Sequence, residues 1–244
     1  SSEYDSSCAL QIFAAREAVF KILAKESLSI HEKLIVILDM GSKIQQCINT
    51  DEYDNIKSVV NDYLKEGIAH TLDETRNLSD ISLQQGIRQI LYPYEEMEVL
   101  NPEWEVILKD IIDSLFEQMS DEEYNILNEE FGTYMVSRAY EYRQLLEYLV
   151  FRYFAKSIYD YDFLGKCQML VTNFFVIRQM DIIRWLDNHR EYSFKDRMDV
   201  VHIFSRQVEY SEDNIENLYE DFIFDDIFKT DSLIAILWID SENI

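Results

Sequence analysis

Six basic side chains, Arg138, Arg143, Arg152, Lys156, Arg178 and Arg184, interrupt apolar stretches in the middle of the chain. A guanidinium drawn into an apolar helix needs a carboxylate or carbonyl partner, or a ligand that supplies one. Glu141, Glu147, Asp181 and Glu209 are the carboxylates placed for internal pairing. Any arginine they leave over can hold an anionic group of a substrate. Tyrosines crowd the same region, with Tyr140, Tyr142, Tyr148, Tyr153, Tyr159 and Tyr161 close together. Such rings either pack between helices with the hydroxyl at the rim or cage the ammonium of a lysine. A third set, His202, Arg206 and Glu209, is spaced so that a regular helix carries all three on one face. That trio can bind a charged ligand, exchange protons with it, or form a salt-bridged packing seam. The candidate substrate-binding residues are therefore Tyr148, Arg152, Tyr153, Lys156, Arg178, His202, Arg206 and Glu209. No residue is assigned a catalytic role, and no metal-ligand set is read.

Many familiar chemistries lack their residues here. The five glycines are isolated, so neither a dinucleotide-binding glycine turn nor a phosphate-cradling loop can form. No HExxH pair offers zinc ligands, and no GxSxG elbow supports a nucleophilic serine. His31, His70, His189 and His202 are scattered, as are Cys8, Cys47 and Cys167. Three distant cysteines make neither a disulfide framework nor a CxxC pair, which points to a reducing, cytoplasmic setting. A formal net charge of −25 disfavours nucleic acid and anionic lipid. It serves solubility, or it attracts a lysine-bearing partner within the range that salt allows. The most apolar runs, residues 148–155 and 233–239, are too short to span a bilayer and read as core helices.

The elements that would position these groups are helical. Two prolines and five glycines in 244 residues leave little turn material, while 48% hydrophobic content supports a substantial core. Ser29 with Glu32, Asp51 with Asp54, Asn101 before Pro102, and Ser120 with Glu123 each read as a capped helix start. Residues 131–158 and 163–186 read as two long helices joined by Tyr159-Asp160-Tyr161-Asp162, a central hairpin. A helix from Phe194 to Tyr210 follows, capped by Ser193, and the tail from Asn214 to Ile239 covers it with Leu218, Phe222, Ile227, Leu233, Ile236 and Trp238. Gly86, Pro93 and mixed polarity mark the segment before Asn101 as loop-rich. The expected architecture is all-α, a bundle-like arrangement of roughly ten helices. Its expected parts are an N-terminal subdomain over 1–72, a connection over 73–101, and a C-terminal subdomain with the hairpin over 102–244.

Several strings together resemble a known family. They are Leu146-Glu147-Tyr148-Leu149-Val150-Phe151-Arg152-Tyr153-Phe154, Tyr159-Asp160, Leu164-Gly165-Lys166 and Ser205-Arg206-Gln207-Val208-Glu209-Tyr210-Ser211. The set resembles the C-terminal helical region of flagellin lysine-N-methylase proteins. The likeness is looser over residues 13–63, through Ala15-Arg16, Ile22-Leu23 and Glu32-Lys33-Leu34, and closer over 140–219. The last string is the most specific; where family members carry Ser-Arg-Glu-Val-Glu-His-Ser, this chain has Gln207 and Tyr210 in place of Glu and His. That departure argues against proton transfer at those two positions. The resemblance implies methyl transfer from S-adenosylmethionine to lysines of flagellin or another lysine-bearing protein. It also implies a cysteine cluster ahead of the helical region for a metal or iron–sulfur centre, which Cys8, Cys47 and Cys167 do not match. The first residue, Ser1, fits a fragment of a longer enzyme whose chemistry sits on the remainder. The alternative expectation is a noncatalytic acidic helical interaction module.

Overall fold

The computed structural model describes residues 2–76 and 81–242, and among the described residues every regular element is helical. In chain order these are α1 (Ser2–Leu23), α2 (Ile30–Asn49), α3 (Tyr53–Asp62), α4 (Ile68–Glu74), α5 (Leu83–Glu95), α6 (Pro102–Ile111) and α7 (Asp121–Met135). There follow α8 (Ala139–Tyr153), α9 (Ser157–Asp160), α10 (Phe163–Asp187), α11 (Phe194–Phe204), α12 (Glu212–Phe224) and α13 (Thr230–Glu242). Wider π turns extend α3, α6 and α11 over Tyr63–Gly67, Ile112–Glu117 and Ser205–Glu209. The all-α expectation holds.

Helix starts obey local chemistry. Ser29 accepts from the Glu32 amide while Glu32 accepts from the Ser29 amide, a complete capping box, and Ser120 with Glu123 repeats it. Asp51 behaves differently from the expectation. It takes a left-handed conformation with φ 58° and ends α2, where the Glu52 amide reaches back to the Cys47 carbonyl; Glu52 is the N-cap of α3. The long helix expected over 131–158 is divided by tight 3-10 turns at Val136–Arg138 and Phe154–Lys156. These turns change the phase of the rod, so α8 presents its own buried stripe of Tyr142, Leu145, Leu146, Leu149 and Tyr153. By contrast α10 is continuous, and Tyr161, at φ 55°, turns the chain into it.

The connection expected over 73–101 contains a helix. Residues 77–80 lie outside the described residues, but α5 begins at a Ser82 cap and buries Leu83, Ile87, Ile90, Leu91 and Tyr94. Gln84 is buried with them because its amide donates to the carbonyls of Leu115 (2.6 Å) and Met119 (2.8 Å). Pro93 is accommodated in the last turn of the helix, near where it stops.

Contacts divide the chain into two compact units that do not follow the linear division expected from sequence. One comprises Ser1–Ser79, Val136–Val171 and Thr230–Ser241, the other Asp80–Met135, Thr172–Lys229 and Glu242–Ile244. In the first, α1 packs on α3 and α8, and α2 passes so close to the start of α10 that a Cβ on Gly41 would lie 2.6 Å from Cys167 Sγ. His31 and Asp240 pair at 2.6 Å, tying α2 to α13. In the second, Tyr94 donates to Asn173 (2.8 Å), Tyr124 to Gln179 (2.9 Å), and Phe131 packs against Trp185.

Candidate functional site

A cleft of about 610 Å3 lies within the second unit, where three helices each contribute one face. From α6 come Glu103, Val106, Ile107 and Asp110; from the end of α10, Ile183, Arg184 and Asp187; from α11 and its π turn, Asp199, His202, Ile203 and Arg206. The first and last sets follow the i, i+3, i+4, i+7 spacing of a single helix face. Ile107, Ile183 and Ile203 are buried and form an apolar floor, while Glu103, Asp110 and Asp187 stand exposed at the rim.

Each wall is anchored by its own sequence. Asn101 caps α6 by accepting from the Glu103 amide at 3.2 Å, with Pro102 at the first helical position. Ser193 and Asp196 close a capping box at the start of α11. Burial alone would raise the Asp196 carboxyl, but hydrogen bonds from Ser193 and Asn188 hold it below the ordinary value. Deeper in, the fully buried Asp181 of α10 accepts from Arg197 Nη1 at 2.6 Å and from the Tyr192 hydroxyl, fixing α11 to α10. The turn between these helices carries His189 and Arg190 at φ 56° and 68°, a left-handed pair that ends α10 without glycine.

The string most specific to the resembled family forms the π turn. A π turn holds more residues than an α turn, so the face shared by His202 and Arg206 does not continue to Glu209. His202 and Arg206 face the cleft, whereas Glu209 is turned inside and is 7% exposed. The expected three-residue face is thus corrected to two. Gln207 is wholly buried and clamps the segment before α6. Its Oε1 accepts from the amides of Leu100 (2.9 Å) and Asn101 (3.2 Å), and its Nε2 donates to the Glu98 carbonyl at 2.6 Å. Asn214 adds a bond from the Glu98 amide (3.0 Å) and another to the Glu98 carbonyl (3.1 Å). Beside the cleft this clamp leaves a smaller recess of about 360 Å3, lined by Leu100, His202, Arg206 and Tyr210.

The remaining sequence candidates fall elsewhere. Arg178, in the second unit, is 2% exposed and donates to the carbonyl and side chain of Asn128, at 3.3 and 3.1 Å, while lying over the Phe131 ring. Its partners include a backbone carbonyl and a carboxamide oxygen, both on Asn128. Tyr148, Arg152, Tyr153 and Lys156 belong to the first unit. Arg152 and Lys156 are exposed and lie 5.5 and 5.7 Å from the centroid of the buried Tyr153 ring, which therefore holds the chain's own cations rather than an empty cage. Tyr148 is 43% exposed on α8. The proposed internal pairs are partly as expected: Arg138 binds Glu141 through two nitrogens (2.7 and 3.1 Å) and Arg143 approaches Glu147 at 3.7 Å. Asp181 serves Arg197, a residue that sequence reasoning passed over. So were Glu103, Asp110, Asp187 and Asp199, whose spacing looks like any solvated helix face.

The cysteines do not fit a metal or iron–sulfur group. Burial pushes the Cys167 thiol well above its ordinary value and raises Cys47 as well. Among the described residues no three His, Cys, Asp or Glu side chains are grouped to hold a metal ion. No described helix is long and apolar enough to cross a membrane.

Compared with known proteins, the chain matches the model of the FliB lysine N-methylase C-terminal domain over residues 16–236. No curated protein and no solved structure matches it.

Proposed function

The chain belongs to the FliB lysine N-methylase C-terminal domain family, and from that premise we propose that its second unit is the substrate-binding portion of a protein-lysine N-methylase. The observation that supports this reading is the cleft's pairing of an aliphatic floor with a carboxylate rim. A lysine is a flexible apolar stem ending in a compact cation. Its methylenes suit Ile107, Ile183 and Ile203, and its ammonium suits Asp110, Asp187 and Asp199, which stand on three different helices. The excess negative charge of the whole chain steers a basic segment toward it. A lysine nitrogen sheds a proton when it takes a methyl group, and His202 and Asp199 are acceptors within the cleft. Flagellin is the substrate in this reading, as the resemblance implies.

S-adenosylmethionine, the donor implied for the family, supplies a methyl group on a sulfonium. The cleft does not fit it well: adenine asks for an enclosed flat slot, and the cleft's apolar lining is aliphatic. We infer that the donor binds outside this cleft.

Calorimetric titration with a lysine-bearing flagellin peptide, and with the same peptide carrying norleucine for lysine, tests the reading. The lysine peptide binds more tightly, and the double variant Asp110→Asn/Asp199→Asn weakens it by roughly tenfold at low salt, the sum of two partly exposed ion pairs. Equal affinity for the two peptides contradicts the proposal.

A further inference from the structure

A lysine held among the rim carboxylates leaves the neighbouring recess unaccounted for. Leu100 and Tyr210 form its walls, and His202 and Arg206 line both it and the cleft, so the two spaces adjoin along one helix face. The charge changes sign across that boundary. The cleft is rimmed by acids, but of the described residues lining the recess none is a carboxylate, and its charged member is Arg206. Arg206 makes no hydrogen bond or ion pair with any described residue, and the Tyr210 hydroxyl is likewise uncommitted, on a side chain 76% exposed. A guanidinium beside a phenol hydroxyl presents donors in a planar fork, the geometry that receives a carboxylate or a carboxamide.

Arg206 stands one turn beyond His202 on the face that the two spaces share, a rise of about 6 Å. In an extended peptide, side chains two residues apart point the same way with a spacing of roughly 6.5 Å. The recess also has a fixed shape, because the backbone of Leu100 is held by the buried Gln207. We propose that the recess is a specificity subsite that receives a carboxylate or carboxamide side chain two residues from the target lysine of an extended substrate segment. This rests on the lysine reading of the cleft.

The test uses the whole chain and a set of peptides in which the residue two positions before or after the lysine is Glu, Gln, Ala or Lys. In one of the two directions, Glu and Gln bind roughly twofold to fivefold more tightly than Ala, the range of an exposed charged contact, and Lys binds least. Arg206→Glu, an exposed position whose folding is checked by circular dichroism, inverts the order of Glu and Lys in that direction. The subsite is overturned if the four peptides bind alike, or if Arg206→Glu shifts all of them by one common factor, which is a net-charge effect. Norleucine in place of the target lysine separates the two ideas. If affinity then falls but no neighbour preference exists, the subsite alone fails; if affinity is unchanged, the lysine reading fails and the subsite with it.

Discussion

Asp181→Ala lowers stability by about 3–5 kcal/mol, the cost of taking one partner from a buried ion pair. Asp181 is wholly buried on α10, and Arg197 of α11 is nearly so. The Arg197 guanidinium donates to Asp181 at 2.6 Å and lies 5.4 Å from the centroid of the Tyr192 ring, whose hydroxyl also donates to Asp181. Removing the carboxylate withdraws the acceptor from a buried cation and a buried phenol together. In a domain of this size the loss lowers the melting temperature by roughly 10 °C. Asp181→Asn, which keeps the shape and one acceptor, costs less. Urea denaturation of the two variants beside the parent measures the difference, and a loss under about 1 kcal/mol for Asp181→Ala contradicts this account of how α11 is fixed beside the cleft.

Gln207→Ala has the next largest effect, about 2–4 kcal/mol, because the amides of Leu100 and Asn101 lose a buried acceptor and the Glu98 carbonyl loses a donor. The companion variant Gln207→Glu carries a pH signature. A carboxylate serves the two amides but repels the Glu98 carbonyl, so burial and that oxygen raise the new group's pKa in the folded state. The unfolded chain releases the proton near the ordinary value of about 4.3 while the folded chain keeps it. Stability therefore falls as pH rises above the ordinary range and levels off once the raised pKa is passed. Denaturation midpoints near pH 5.5 and pH 8 show the drop for Gln207→Glu and no matching drop for the parent. A flat difference between the two proteins means that the clamp does not discriminate Gln from Glu.

Local signals in the sequence carried the fold further than they carried the site. The caps at Ser29, Asn101, Ser120 and Ser193 start helices because a side-chain oxygen meets an orphan amide a few residues away, and that chemistry is contained in the string itself. Segment 83–95 reads as loop-rich because Gly86, Pro93 and mixed polarity imitate a loop; Gln84 is tolerated inside only because the carbonyls of Leu115 and Met119 stand where its amide needs them. Asp51 was misassigned because a short acidic residue suits either a helix start or a left-handed helix end.

His202 and Arg206 share one helix face, as their spacing implies, and both line the cleft. Glu209 does not continue that face, since a π turn leaves no mark in periodicity until the turn is seen. The face of α6 went unweighed because Glu103 and Asp110 are ordinary surface acids until α10 and α11 stand opposite them. Arg152 and Lys156 looked like ligand-holding cations in an aromatic region, yet they satisfy themselves on Tyr153.

The claim at the centre of this account is that a substrate lysine enters the cleft among α6, the end of α10 and α11. Amide chemical-shift mapping of the isotope-labelled chain during titration with a lysine-bearing flagellin peptide tests it most directly. Shifts concentrated at residues 103–110, 183–187 and 199–210, and lost when norleucine replaces lysine, are the expected result. Lysine-dependent shifts gathered instead around Tyr148, Arg152 and Tyr153, with the α6 and α11 faces unmoved, would contradict it.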